Sequence, residues 1–345
     1  TMLATGGNAI ISKYLGEGKH REARECLTMF VVVGVAVSIV VLVFTHLFLT
    51  PVCYFLGSNE VLLADCEKYL ATAISFAPAC MLQSLFQSYL VTAEKPHLGL
   101  FLTIGAGILN AFLDYFLIAV CRLGMTGAAL ATALAQAVGG LMVLVYLFGF
   151  SRTLHLYRLK ISMKSLHLTC RNTGYMIQLG ASAMLGELAI ACMMLVGNYA
   201  FIRMLKEDGV AAYSVACYCL PIVFANAIAQ SAQPIISYNY GTGDAARVHE
   251  TFRLSLKTAF ISGLTAFAVM YVFCPYIVAM FLEPGCPAYG IATKGIPYFA
   301  SGFICFALNI AWIGYYQSIE LARKAMLFML LRGIILMSIC FLALP

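Results

Sequence analysis

Six stretches of this sequence contain no Asp, Glu, Lys or Arg and are long enough to cross a membrane as helices. They are residues 26–59, 69–93, 123–151, 210–243, 258–282 and 295–319. About 20 apolar residues, each rising about 1.5 Å, span a hydrocarbon core about 30 Å thick. Three further apolar stretches hold one internal charge each: Asp114 in 98–121, Glu187 in 174–202 and Arg332 in 325–345. The sequence therefore predicts nine spans, with residues 1–12 as the end of another helix.

The amino-acid composition agrees with a chain whose main solvent is lipid. Of its 345 residues 62% are hydrophobic and 10% are charged, whereas a soluble domain averages about 25% charged residues. This excludes a disordered chain, a nucleic-acid-binding protein with a basic surface and nearly every soluble enzyme. The apolar stretches lack the period-two alternation of barrel strands, so the predicted fold class is an all-α integral membrane protein.

Positive charge is concentrated in one set of alternating loops. Of the 21 Lys and Arg residues, fifteen lie in that set, five lie in the opposite set, and Arg332 lies within a span. By the positive-inside rule the first set faces the cytoplasm. The longest basic loop, 152–173, is predicted to be a cytoplasmic linker between an N-terminal bundle (1–151) and a C-terminal bundle (174–345).

No motif predicts catalysis or a bound cofactor. The sequence has no Ser-His-Asp pattern, no H-E-x-x-H and no phosphate-binding Gly-Lys loop. Its 13 cysteines are scattered through apolar runs without a C-x-x-C pair. They are predicted to pack between helices rather than to form disulfides or a zinc site. The chain is therefore not expected to be an enzyme.

The sequence contains an internal repeat, because ISKYLGEG at 11–18 aligns with ISYNYGTG at 236–243 at an offset of 225. The pairs matched at similar offsets include Gly16/Gly241, Gly18/Gly243, Pro51/Pro275 and Gln87/Gln317. Glycine as a helix C-cap explains one such motif but not the steady offset. An even number of helices between copies implies parallel repeats, hence two six-helix bundles. On that pattern we expect nine of twelve spans plus a stub here, without the first helix, most of the second and the twelfth.

The repeat, its glycine motifs, and the segments QSAQPIISYNYGTG (230–243) and GMTGAALATALAQ (124–136) resemble the multidrug and toxic compound extrusion (MATE) family. The glutamine-rich helix end resembles the bacterial DinF-like branch. The resemblance covers essentially the whole chain. It implies two lobes around a central cavity in the bacterial inner membrane. It also implies export of drugs or other amphipathic, often cationic, small molecules, driven by inward Na⁺ or H⁺ flow.

Asp114 is a candidate functional residue because a charge at bilayer depth costs about 2.5–3.5 kcal/mol. Asn110 lies one turn earlier on the same helix face. On the next span small and polar residues recur every four positions, namely Gly124, Ala128, Thr132 and Gln136. The small end of this stripe is predicted to let the helices approach closely. A carboxylate, an amide oxygen and a hydroxyl between two helices offer oxygen ligands to Na⁺, or a proton site. A structural Asn–Asp tie between the helices is the alternative.

The MATE resemblance gives this cluster a role. The family's archaeal-type cation site uses an asparagine, an aspartate four residues later and a threonine eighteen beyond. Asn110, Asp114 and Thr132 match that pattern in type and spacing. The same site uses an aspartate of the first family helix, which is expected to precede residue 1. The repeat counterparts near 335–341 are apolar, so the site is expected in one lobe.

A second group of polar residues lies in the C-terminal half. Glu187 falls mid-span, where another branch of the family places a cation-binding acid, but its second acidic ligand has no counterpart beyond Asn309. Asn226, Gln230 and Gln233 line one side of the span that Pro234 is expected to break. All of these are candidates for a substrate or second ion site. The alternatives are a buried, protonated Glu187 and a plain kink.

The predicted function is therefore a cation-coupled exporter working by alternating access, as a monomer in lipid and with no cofactor besides the coupling ion. A lipid-linked oligosaccharide flippase of the same superfamily is the alternative. It predicts a cavity rich in Arg and Lys, whereas Arg332 alone lies mid-span. A polytopic receptor or an intramembrane enzyme is disfavoured because neither predicts an internal repeat.

Overall fold

The computed structural model describes residues 2–55, 60, 63–93, 95–149, 163–218, 222–336 and 338–340. Its helices, in chain order, are α1 (Met2–Gly16), α2 (His20–Leu47), α3 (Leu49–Phe55), α4 (Leu63–Ser75), α5 (Ala77–Thr92), α6 (Pro96–Asp114), the π-helix π1 (Tyr115–Val120), α7 (Gly124–Gly149), α8 (Met163–Tyr218), α9 (Ile222–Thr242), α10 (Ala245–Ala279), α11 (Pro287–Ser301), α12 (Phe303–Ser318), α13 (Ala322–Leu330) and the π-helix π2 (Leu331–Leu336). None of the described residues forms a strand, which confirms the all-α class. Most of the predicted linker, 152–162, lies outside them.

Most of the predicted spans form apolar helices of membrane length. Five helices are long and apolar enough to cross a membrane: α2, α6 with π1, α7, the part of α8 up to Lys206, and α10. The pairs α4–α5 and α11–α12, bent by 54° and 43°, bring the total to seven in the described chain. Two of the nine predicted spans are missing from this total. One is α9, because its Asn and Gln residues lower its hydropathy. The other is the helix from α13 through π2, which is too short to cross a membrane.

The sequence repeat reappears as a repeated order of helices and bends. α2 and α10 begin at residues 20 and 245, which are 225 apart, and α6 and α13 begin at 96 and 322, which are 226 apart. The bends at Phe76 and Gly302 are also 226 apart. This agreement confirms the internal repeat beyond the glycine motifs.

The chain divides into two compact units. Unit 1 consists mainly of residues 18–176, and unit 2 of residues 4–17 together with 177–345. In unit 1, α2 and α5 pack together and α7 packs on α4, α5 and α6. Its most deeply buried side chains are Leu27, Phe30, Leu85 and Phe86. α1 belongs to unit 2, although it precedes α2 in the chain.

Unit 2 is organised around α10 and α12. Both contact α9, α10 also contacts α11, and α12 contacts α13. One buried cluster includes Met270, Cys274, Ile296 and Phe303. Large apolar side chains also lie on the outside of both units, including Val40, Leu47, Phe101, Tyr276 and Met280. An outward-facing apolar surface of this extent matches a chain surrounded by lipid.

The cysteines are free thiols in the described residues, as the sequence predicts. Cys26, Cys53, Cys217 and Cys274 are buried between helices. Packing is the wrong prediction for Cys121, Cys305 and Cys340, which are exposed. An apolar sequence context does not show which side of a helix faces its neighbours.

The two glycine motifs contact each other within unit 2. A Cβ on Gly16 would collide with the carbonyl oxygen of Tyr238, and a Cβ on Gly241 with that of Lys13. Each pair is related to the other by the repeat offset of 225. The backbones of α1 and α9 are therefore in direct contact, and only glycine fits at these two positions.

The second glycine of each motif ends its helix. Gly18 and Gly243 have φ of 74° and 79°, in the left-handed region. After α9, the N–H of Gly243 donates to Tyr240 O at 3.2 Å and that of Asp244 to Asn239 O at 3.0 Å. This is a Schellman motif. It is the C-cap geometry that the glycine pattern predicts.

An ion pair fixes the end of α1. Lys13 Nζ lies 2.8 Å from both carboxylate oxygens of Glu320, in the turn after α12. Burial lowers the pKa of the Lys13 ammonium, but the hydrogen bond and charge of Glu320 outweigh it, so the pKa lies above its usual 10.5. A raised lysine pKa stabilises the fold at neutral pH, and this contribution is lost only as the pH rises through the raised value.

A double-mutant cycle on Lys13→Met and Glu320→Gln measures this pair. We expect a coupling free energy of about 1 kcal/mol, near the upper end for exposed pairs because the geometry is bidentate and partly buried. The measurement is the thermal unfolding midpoint in detergent at pH 7 and pH 11. Coupling should fall at pH 11, and equal coupling at both pH values would contradict the assignment.

Candidate functional site

The structure brings Asn110 and Thr132 together between α6 and α7. Asn110 Nδ2 donates to Thr132 Oγ1 at 3.4 Å. The contact joins two neighbouring helices of unit 1 that pack against each other. Because the amide nitrogen is the donor, the oxygens of both side chains stay available as acceptors. The predicted pairing of these two spans through polar side chains is therefore present.

Asp114 lies one helical turn beyond Asn110, at the point where α6 ends. Its side chain is half-buried. No ion pair or hydrogen bond joins its carboxylate to another described residue. Of the proposed Asn–Asp tie between the helices, Asn110 does join α6 to α7 through Thr132, whereas Asp114 makes no such bond among the described residues. A half-buried carboxylate with open lone pairs can accept a cation or a proton.

The helix changes type immediately after Asp114. π1 follows without a break, and the N–H of Cys121 donates to Phe116 O at 2.9 Å, five residues earlier. Single turns of π-helix are rare and occur frequently at functional sites. The sequence gives no sign of π1, because the stretch YFLIAV reads as ordinary apolar helix.

The close approach of α7 is made by a different glycine from the one predicted. Gly124 has φ of 55°, and no atom lies within 4 Å of the position that a Cβ would take there, so it turns the chain rather than packing. A Cβ on Gly127 would lie 3.1 Å from Leu117 O. The prediction that the stripe Gly124–Ala128–Thr132 packs closely against the neighbouring helix is therefore wrong at Gly124.

Two glutamines lie near α7 beyond Thr132, Gln136 on α7 itself and Gln83 on the neighbouring α5. Gln136 is half-buried one turn beyond Thr132. Gln83 of α5 lies against Gly139, two turns beyond Thr132, and its Oε1 is buried without a hydrogen-bond partner. Sequence analysis missed Gln83, because only the packing of α5 on α7 shows what its side chain meets. Polar side chains therefore continue along α7 beyond Thr132, at Gln136 and Gln83.

The three side chains differ in chemistry, and the contact between Asn110 and Thr132 is the one observed among them. One carboxylate, one amide oxygen and one hydroxyl are oxygen ligands of the kind that Na⁺ and similar ions take, and the carboxylate also binds a proton. The described residues contain no group of three or more His, Cys, Asp and Glu that could hold a metal.

The polar residues predicted in the C-terminal half do not form one cluster. Gln230 is exposed, whereas Gln233 is buried and its Nε2 donates to Thr5 O at 3.3 Å. Asn226 is half-buried. Asn309 has a buried Oδ1 without a partner. Gln233 thus holds α9 against α1, and a shared site with Gln230 is not observed.

Two predictions for this half are wrong, the buried Glu187 and the helix break at Pro234. Glu187 is exposed on α8, so the alternative of a buried carboxyl is wrong. Its neighbour Gly186 packs on Met329, which turns the Glu187 side chain away from that contact. α9 continues through Pro234 as one helix, so no break exposes carbonyls there. Proline removes a single hydrogen bond, and neighbouring helices support the rest.

Comparisons with known proteins agree with this architecture. The MatE family model matches residues 1–116 and 183–342, and the chain belongs to this family. It is therefore a multi-pass, all-α membrane protein related to multidrug export transporters. The placement in the DinF-like branch stays a prediction.

Individual relatives are distant in sequence but cover the chain well. The multidrug export protein MepA of Staphylococcus saprophyticus is 19% identical over 342 residues, covering 99% of this chain and 74% of MepA. The uncharacterized transporter YisQ of Bacillus subtilis is 22% identical over 294 residues, covering 82% of this chain and 62% of YisQ. An outward-facing multidrug resistance MATE family transporter of the MOP superfamily matches with a TM-score of 0.90, at 16% identity, over 99% of this chain and 76% of that one.

Proposed function

We propose that this chain is a cation-coupled exporter whose coupling ion, Na⁺ or H⁺, binds at Asp114 with Asn110 and Thr132 as neighbours. The observation that carries the proposal is the half-buried carboxylate of Asp114, without a partner among the described residues, beside the 3.4 Å contact between Asn110 and Thr132. A site of this kind changes charge when the ion arrives. Inward movement of one charge is worth about 2.3 kcal/mol per 100 mV, which suffices to bias an export cycle.

The proposal includes a substrate class and a setting. Relatives named as multidrug export proteins support drugs as substrates. The family resemblance extends this class to small amphipathic molecules that are often cationic. The exporter works by alternating access as a monomer in the bacterial inner membrane, with the basic loops in the cytoplasm. The excess of Lys and Arg in one set of loops supports that orientation. Glu187, exposed on α8, remains a candidate contact for a cationic substrate.

Efflux from proteoliposomes under imposed gradients tests the function. The protein is reconstituted and loaded with ethidium, and release is followed by fluorescence under a Na⁺ gradient and, separately, under a pH gradient. We expect one gradient to raise the initial release rate at least fivefold above protein-free liposomes. Collapsing that gradient with an ionophore should remove the increase. No increase under either gradient would reject cation-coupled export.

A further inference from the structure

A cavity of about 370 Å³ lies within unit 2. α8, α11, α12 and π2 form its walls, and the bend at Gly302 between α11 and α12 is part of them. Four aromatic residues contribute to the lining: Tyr298, Phe299, Phe303 and Phe306. Ligand cavities in proteins have this size and are mostly apolar with a few polar groups. Asp114 belongs to unit 1 and does not line this cavity.

Arg332 of π2 is the one charged residue among the described residues that line the cavity. Its guanidinium has weak partners. Nη2 lies 3.3 Å from Met329 Sδ, and Cζ lies 4.5 Å from the centre of the Phe306 ring. Nη1 is buried without any hydrogen-bond partner, and no Asp or Glu of the described chain forms an ion pair with Arg332.

An unpaired guanidinium in an apolar wall is unfavourable for the fold. Arginine stays charged and carries five N–H donors, and a buried donor without an acceptor costs the free energy of its lost hydration. A sulfur atom and an aromatic face replace that hydration only partly. The acceptor that Nη1 lacks must come from outside the described chain, and the strongest acceptors for a guanidinium are carboxylate and phosphate oxygens.

We propose that this cavity binds an amphipathic organic anion. Its carboxylate, sulfate or phosphate group pairs with Arg332, after a small rotation of the long side chain that presents Nη1 to the ligand. Its apolar part lies against Phe299, Phe303 and Phe306. The single positive charge of the lining, unopposed by any acidic residue there, selects an anion over a cation of the same shape.

The ligand chemistry has two sources, an anionic membrane lipid or a free organic anion. Both present a charged oxygen group on an apolar body, so the structure assigns the class that they share. The proposal goes beyond cation-coupled export and does not depend on it, because it concerns other residues and a binding measurement.

Binding of dodecanoate to the purified protein tests the proposal. Protein in dodecyl maltoside is titrated with radiolabelled dodecanoate, and dodecyltrimethylammonium serves as the cation of equal chain length. We expect Arg332→Gln to weaken dodecanoate binding at least tenfold and Tyr298→Ala, which trims an exposed wall residue, at least threefold. Arg323→Gln is the matched control, since Arg323 is exposed on α13 outside the cavity, and should bind within twofold of the parent.

Thermal unfolding separates a binding role from a structural one. Without ligand, Arg332→Gln should unfold at the same temperature as the parent or higher, because it removes an unpaired charge. Dodecanoate should raise the unfolding midpoint of the parent and not that of Arg332→Gln. Equal dodecanoate binding by Arg332→Gln and the parent, or dodecyltrimethylammonium binding as tight as dodecanoate, would overturn the proposal.

Lipid analysis identifies the source. The parent and Arg332→Gln are purified from the same membranes, and the co-purified lipids are quantified by mass spectrometry. Enrichment of phosphatidylglycerol in the parent alone supports an anionic lipid as the natural occupant. Equal lipid content, together with dodecanoate binding that requires Arg332, supports a free organic anion.

Discussion

Asp114→Asn should abolish the gradient-driven part of efflux, lowering the initial rate at least tenfold. Asparagine has nearly the same shape as aspartate but carries no charge, so it takes up no proton and offers Na⁺ only a neutral amide oxygen. The substitution therefore removes ion binding without disturbing α6 or the half-buried position of the side chain. The measurement is ethidium release from proteoliposomes under whichever gradient drives the parent protein.

Asp65→Asn is the matched control for this prediction. Asp65 lies exposed on α4, so the same chemical change there should leave the rate within twofold of the parent. Thr132→Ala and Asn110→Ala should each weaken coupling by a smaller factor, because each removes one oxygen and keeps the charge. Full gradient-driven efflux by Asp114→Asn would show that the ion binds elsewhere.

Gly16→Ala and Gly241→Ala should each destabilise the protein by about 1–3 kcal/mol. A methyl group at either position collides with a backbone carbonyl of the facing helix, Tyr238 O or Lys13 O. Backbone atoms cannot rotate aside as a flexible side chain can, so α1 and α9 must separate. We expect a lower thermal unfolding midpoint for each variant, measured in detergent.

Gly290→Ala provides the opposite control. Gly290 lies inside α11, and no atom lies within 4 Å of the position that its Cβ would take. Alanine favours a helix over glycine by about 0.5–1 kcal/mol, so this variant should unfold at the same or a higher temperature. If Gly16→Ala and Gly241→Ala behaved like Gly290→Ala, the close contact between α1 and α9 would be wrong.

The sequence predicts most of the helices and the repeat because both depend on patterns along the chain. The charge-free run 123–151 gives the extent of α7, whereas α2 and α10 begin before their runs, at His20 and Ala245. The offset of 225 found in the glycine motifs agrees with the starts of α2 and α10. Asn110 and Thr132 are paired correctly, since they lie on consecutive helices that form a hairpin. Local spacing therefore suffices where partners are close in sequence.

Features set by packing between distant helices are not predictable in this way. The exposure of Glu187 depends on what α8 packs against. The surroundings of Gln83 depend on α7, which packs on α5 and brings Gly139 against it. The π-helices π1 and π2 have no distinct pattern in an apolar sequence. Arg332 reads as a lone charge within a span, and the cavity beside it emerges only when four segments meet.

Counter-transport driven by substrate alone tests the central claim of cation-coupled export most directly. Proteoliposomes with equal ion concentrations on both sides receive an ethidium gradient, and Na⁺ and proton movements are recorded with internal fluorescent indicators. Obligatory exchange predicts that one of these ions moves opposite to ethidium, and that Asp114→Asn abolishes this movement. Ethidium transport without ion movement, or with ions moving in the same direction, would contradict the account.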